Sequence, residues 1–124
     1  MSQEDKELLL KDLCARLPYG VKIQVPYEDG SGYFDETVWE VNNEGPFHAN
    51  GWGIEYEYVK PYLFPLSSMT EEQKKEYQYI TERWMYDSSY SISDSTDWLN
   101  KNHFDYRGLI KKGLAIDATG LDIY

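Results

Sequence analysis

The sequence predicts an α+β fold: an N-terminal helix, an antiparallel sheet of three or more strands, and C-terminal helices packed on one face. Three observations carry this reading. Leu9, Leu10, Leu13, Cys14 and Leu17 recur at helical spacing; short segments between Val21 and Tyr58 alternate apolar and polar residues; and Thr70 and Gln73 stand as a helix start before a second periodic stretch. All 124 residues fit one domain, since single domains commonly run to about 100–150 residues.

The first helix begins at Ser2, whose hydroxyl suits an N-cap, with Glu4, Asp5 and Glu7 near the positive end of the helix dipole. Pro18-Tyr19-Gly20 ends it, and Cys14 falls on the apolar stripe, where it reads as a small buried hydrophobe. Val21–Val25 alternates as a half-buried strand, Glu28-Asp29-Gly30-Ser31-Gly32 is turn chemistry, and Thr37–Val41 returns as the second arm of a hairpin. Asn42–Pro46 breaks that strand, Phe47-His48-Ala49 forms a short strand or a crossing, and Ile54–Tyr58 supplies a third strand. Connections this short imply antiparallel pairing.

Pro61 and Pro65 bracket an extended connector whose apolar residues cover an edge of the core. A second helix follows Thr70, with Gln73 in the capping-box position, a Glu71–Lys75 pair, and Tyr77, Ile80 and Trp84 as its buried stripe. Asp87–Ser95 is a polar loop. Asp94 or Ser95 caps a short third helix at about Thr96–Asn102, and a further turn over Arg107–Lys112 stops at Gly113. Leu114-Ala115-Ile116 docks on the sheet, and Asp117–Tyr124 is a frayed or lightly tethered tail. Trp39, Trp84 and Trp98 read as core, whereas Tyr62, Tyr86 and Tyr90 are candidates for an exposed contact surface.

The formal net charge is −10, from 22 acidic and 12 basic residues. That balance argues against direct nucleic-acid binding, which calls for clustered Lys and Arg. It serves solubility, or attraction to a basic partner surface such as that of a nucleic-acid-binding protein. A single cysteine excludes an intramolecular disulfide and a multi-cysteine zinc site. No apolar run approaches the ~20 residues a bilayer span requires, and the start of the chain does not read as a secretory leader. A reducing cytoplasm is the expected compartment.

The richest stretch for function is Trp98 through Ile110, which mixes apolar anchors with hydrogen-bonding side chains. His103 and Asp105 stand two residues apart, so an extended backbone would project both to one side. Two ligands fall short of the three that a zinc site usually takes, and the rest would have to come from His48, Asp97 or a distant acid. Asp105 is therefore read as a cap or as a partner of Arg107 or His103, and no metal or cofactor is expected. No Gly-x-Ser-x-Gly elbow is present, and the Gly30-Ser31-Gly32 and Gly51-Trp52-Gly53 patterns lack the lysine and helix of a phosphate loop.

Three blocks, Lys11–Val21, Lys60–Glu72 and Asp97 through Ala115 (with Asp97-Trp98-Leu99-Asn100-Lys101-Asn102-His103-Phe104-Asp105-Tyr106-Arg107-Gly108-Leu109-Ile110 at its heart), resemble a group of short uncharacterised proteins. That group is encoded by gut anaerobic bacteria and their phages and mobile elements. The resemblance implies a setting, an accessory protein that acts by binding a host or phage component, and no chemistry.

The sequence thus points to a non-enzymatic protein-binding domain with an acidic, tyrosine-rich surface. Its expected contact is His103, Asp105, Tyr106 and Arg107, with Trp98 as support. Rival readings are a small hydrolase or metal enzyme using His48, His103 and Asp105, an acidic nucleic-acid mimic, and a self-associating subunit.

Overall fold

The computed structural model describes residues 2–27, 29–42, 45–48, 58–83, 85–87, 89 and 91–124, with 39, 40, 42, 45–48 and 92 described by backbone alone. Helix α1 spans Gln3–Arg16 and is followed by a 3-10 turn at Leu17–Tyr19. Strands β1 (Lys22–Pro26), β2 (Tyr33–Asn42), β3 (Gly45–His48) and β4 (Lys60–Pro65) precede helices α2 (Glu71–Arg83) and α3 (Ile92–Lys101). Among the described residues the two-residue strands β5 (Phe104–Asp105) and β6 (Ile116–Asp117) complete a six-stranded sheet of order β3-β2-β1-β4-β5, with β6 also paired to β4.

The α+β class holds, but the sheet is mixed. β1 pairs antiparallel with β2 and β4, and β2 with β3, whereas β5 and β6 run parallel to β4. Antiparallel pairing follows from short connections, and it holds over β1 to β3. Between β4 and β5 the chain carries two helices, a connection long enough to return a strand in the same direction.

At the N-terminus, the amide of Asp5 donates to the Ser2 hydroxyl at 3.1 Å, the expected cap. Gly20 adopts φ 69°, the left-handed turn that ends the helical segment before β1. The buried face of α1 differs from the leucine stripe: Leu9 and Leu13 are sealed, but their companions are Asp12 and Arg16, and Cys14 is exposed. Leu10 and Leu17 pack on the core while only partly buried, and an ion pair one turn apart, rather than Cys14, completes the sealed inward face.

β1 alternates as its sequence requires, with Ile23 and Val25 buried and Lys22 and Gln24 half-exposed. β2 starts four residues earlier than the apolar pattern suggests, and Gly45–His48 pairs with it where a break was expected. Among the described strands β3 is outermost, the position at which a sheet accommodates a proline such as Pro46. The strand expected at 54–58 lies outside the described residues apart from Tyr58, which is exposed.

The proline-bracketed segment is no edge connector. It is β4, a central strand with Pro61, Tyr62 and Leu63 buried. Pro61 and Pro65 sit near its two ends, where loss of a donor does least harm. Tyr62 is correspondingly a core residue; its hydroxyl donates to Asp35 and accepts from Gln24.

Helix α2 begins with the capping box as written: the Thr70 amide donates to Gln73 Oε1 at 2.9 Å and the Gln73 amide to Thr70 Oγ1 at 3.1 Å. Glu71 pairs with Lys74 rather than Lys75. Tyr77 and Ile80 pack on the cluster of Trp98, Leu99 and Phe104, while Trp84 lies outside the described residues. Helix α3 begins earlier than expected, at Ile92, because the Ser91 amide donates to the Asp94 carboxylate at 2.7 Å. A second core cluster, of Leu9, Leu13, Val21, Ile23, Leu63 and Leu109 among others, lies where α1 meets the sheet.

Candidate functional site

Trp98, on α3, is buried and lies between two rings: Phe104 is stacked on it at 5.6 Å and Tyr77 is tilted against it at 5.5 Å. After α3 the backbone turns at His103, which takes φ 60°, a left-handed conformation uncommon for a residue with a Cβ. The turn is held on both sides: the His103 amide donates to Asn100 O at 3.1 Å, and His103 O accepts from the Phe64 amide at 2.8 Å. This is how α3 is redirected into β5, and it plants the imidazole against the rest of the fold.

Asp105 is buried and acts as a cap. Its Oδ1 accepts from the Leu109 amide and its Oδ2 from the Ile110 amide, both at 2.9 Å. Neither Arg107 nor His103 is its partner. Arg107 instead reaches across the fold to Asp12, Nη1 to Oδ1 at 2.8 Å, while Arg16 grips the same carboxylate through Nε at 2.9 Å and Nη2 at 3.1 Å. Arg16 Nη2 also donates to the Phe104 carbonyl, and among the described residues Nη1 has no hydrogen-bond partner. Tyr106 lies near both guanidiniums, 4.5 Å from Arg107 and 5.4 Å from Arg16, and its hydroxyl donates to Asn100 Oδ1 at 2.8 Å.

His103 is 7% exposed, and among the described residues its Nδ1 has no hydrogen-bond partner. Tyr124 is laid flat on the imidazole, with 3.8 Å between ring centroids and 10° between planes. Burial, with the Arg16 and Lys22 charges adding to it, pushes the imidazole down to about 4, so the ring is neutral near pH 7. Tyr124 is equally tied: its hydroxyl accepts from the Lys22 amide and donates to the Tyr62 carbonyl, both at 2.8 Å, and burial pushes its phenol up to about 12. The register that sets Ile23 opposite Pro61 would bring Lys22 opposite Tyr62. The tyrosine hydroxyl stands between those two groups. The tail is therefore docked rather than frayed.

Beside this pair opens a cleft of about 520 Å³, lined by Phe64 and Tyr124, by Thr70 and Gln73 at the start of α2, and by Lys101 and His103. Its size is within the roughly 300–1,000 Å³ usual for small-molecule sites.

Of the expected contact residues, Trp98, His103 and Asp105 are inside, while Tyr106 and Arg107 are half-buried. His103 and Asp105 share no hydrogen bond, and the side chain of His48 lies outside the described residues. Among the described residues no three of His, Cys, Asp and Glu group as a metal set. The residues that composition and spacing did not single out are Asp12, Arg16 and Tyr124. A polar pair at i,i+4 on an otherwise apolar helix face was the available signal for the first two; Tyr124 carried none.

Compared with protein-family models, curated proteins and solved structures, the chain matches none of them. Among the described residues no helix is long and apolar enough to cross a membrane.

Proposed function

We propose that this chain is a non-enzymatic, cytoplasmic protein-binding domain, an accessory factor of a phage or mobile element, whose contact surface is acidic and rich in tyrosine. The observation that carries the reading is the set of exposed rings: Tyr27 and Tyr33 flank the β1–β2 turn, and Tyr86 is 80% exposed just beyond α2 beside Met85. Large apolar side chains held in water on a charged surface are the usual anchors of interfaces, because tyrosine buries area at little cost in rotamer freedom. Within the 98–107 segment, Tyr106 and Arg107 remain reachable, held by Asn100 and Asp12, while Trp98, His103 and Asp105 form the buried support of the segment. The charge of −10 favours a partner with a basic face. The mobile-element setting rests on the resemblance of the three sequence blocks.

The test is affinity capture from a natural host extract with the wild-type chain and with a Tyr33→Ser/Tyr86→Ser variant, followed by calorimetry on each purified partner. A partner bound by the wild type and lost by the folded variant is the expected result. Equal retention by both would place the contact elsewhere, and turnover of a small substrate would remove the non-enzymatic reading.

A further inference from the structure

We propose that the cleft at the start of α2 binds a small ligand in which an anionic group, a carboxylate or a phosphate, is joined to a flat apolar body. This goes beyond the protein-binding reading and does not depend on it.

Charge is the first argument. The chain carries 22 acidic residues, yet among the described residues no Asp or Glu side chain lines this cleft, and Lys101 does. Glu71 and Glu72 sit in the first turn of α2 but do not line it, and Glu71 is turned to Lys74. The start of a 13-residue helix adds partial positive charge and backbone donors at the same place. The capping box occupies the amides of Thr70 and Gln73, and because Gln73 Oε1 is held by the Thr70 amide, the NH2 of the same side chain is left as a fixed donor.

A second, independent observation is His103. It lines the cleft at 7% exposure, and among the described residues its Nδ1 has no hydrogen-bond partner. A buried imidazole nitrogen without a partner beside a cleft is one a ligand can satisfy, since buried polar atoms are otherwise paired. It is held rigidly, by Tyr124 on its face and by the backbone bonds at its turn. The third argument is the apolar wall. Phe64 and Tyr124 stand 6.0 Å apart at 53°, an edge against which a flat body can lie while its anionic end reaches Lys101 and Gln73.

The experiment is an NMR titration of the full chain with phenyl phosphate, benzoate, inorganic phosphate and uncharged benzamide. Phenyl phosphate or benzoate is expected to shift the His103 and Tyr124 ring signals saturably in the millimolar range, as suits so small a probe. Whichever of the two binds more tightly identifies the anion. Lys101 is exposed, so Lys101→Glu keeps the fold, checked by its dispersed amide spectrum, and is expected to weaken binding by about tenfold or more. The proposal is overturned if neither aromatic anion gives a saturable shift at this cleft, or if Lys101→Glu leaves the affinity unchanged. Benzamide binding as tightly as benzoate would remove the anionic requirement, and inorganic phosphate matching phenyl phosphate would remove the apolar body.

Discussion

Tyr124 covers one face of His103 and, through its hydroxyl, stands in for a rung of the sheet between Lys22 and Tyr62. One side chain thus closes the cleft wall and stitches β1 to β4. Removing only the oxygen separates the two roles. Tyr124→Phe keeps the ring on the imidazole but takes the hydroxyl from the Lys22 amide and the Tyr62 carbonyl, which water can partly replace, at a cost of about 0.5–1.5 kcal/mol. Urea unfolding with an unchanged m-value is the check, and a midpoint equal to wild type would mean that the hydroxyl carries no weight.

The imidazole itself makes stability depend on pH. In the unfolded chain His103 takes up a proton near pH 6.5, and in the folded chain only near 4. Between those values the unfolded state binds more protons, so stability rises with pH; it is fully present above about 6.5 and is lost as pH falls toward 4. Allowing for solvent that reaches the ring edge from the cleft, the swing is on the order of 1–2 kcal/mol. His103→Asn, which also accepts the left-handed backbone, should flatten the profile between pH 6.5 and 5. Below that, hydrogen bonds from Ser31, Ser89 and Thr119 hold Asp29, Asp87 and Asp117 low, and their protonation acts in the same direction.

Asp12 is fully buried between two guanidiniums. Asp12→Ala leaves the sealed Arg16 charge without its counterion and is expected to cost about 3–5 kcal/mol. Replacing Asp12→Leu together with Arg16→Met removes the sealed charge and its counterion, leaves only the half-buried Arg107 to turn to solvent, and should cost less than Asp12→Ala alone. If the double variant were as unstable as the single one, the ion pair would matter for its shape and not its charge.

Cys14 faces solvent on α1. It is expected to react with a thiol reagent in the native protein as readily as in urea, and Cys14→Ser should change stability by less than about 0.5 kcal/mol. A native thiol protected from the reagent would require the face of α1 to be rotated.

Local chemistry was legible in the sequence. Ser2 at the start of α1 and the Thr70–Gln73 box at the start of α2 are written in single side chains next to the backbone they serve, and the alternation of β1 records one wet and one dry face. What escaped depends on partners far along the chain. Pro61 and Pro65 look like strand breakers until the flanking strands show which positions need a donor. Asp12 and Arg16 look like a solvated pair until Arg107 and the Phe104 carbonyl arrive from the other end of the sequence. The cap of α3 was misplaced because Ser91 and Asp94 form a box with a shorter acid than the usual Glu or Gln. The cleft draws on β4, α2, the turn after α3 and the tail, so no one stretch announces it.

β4 has a consequence for how the molecule assembles. It takes neighbours from β1, made long before it, and from β5 and β6, made long after. During synthesis its hydrophobic residues therefore emerge with half of their pairing still unbuilt, an invitation to wrong contacts that only the later residues can withdraw. The strand order predicts that β4 is secured only once the last residues of the sequence are available to pair with it.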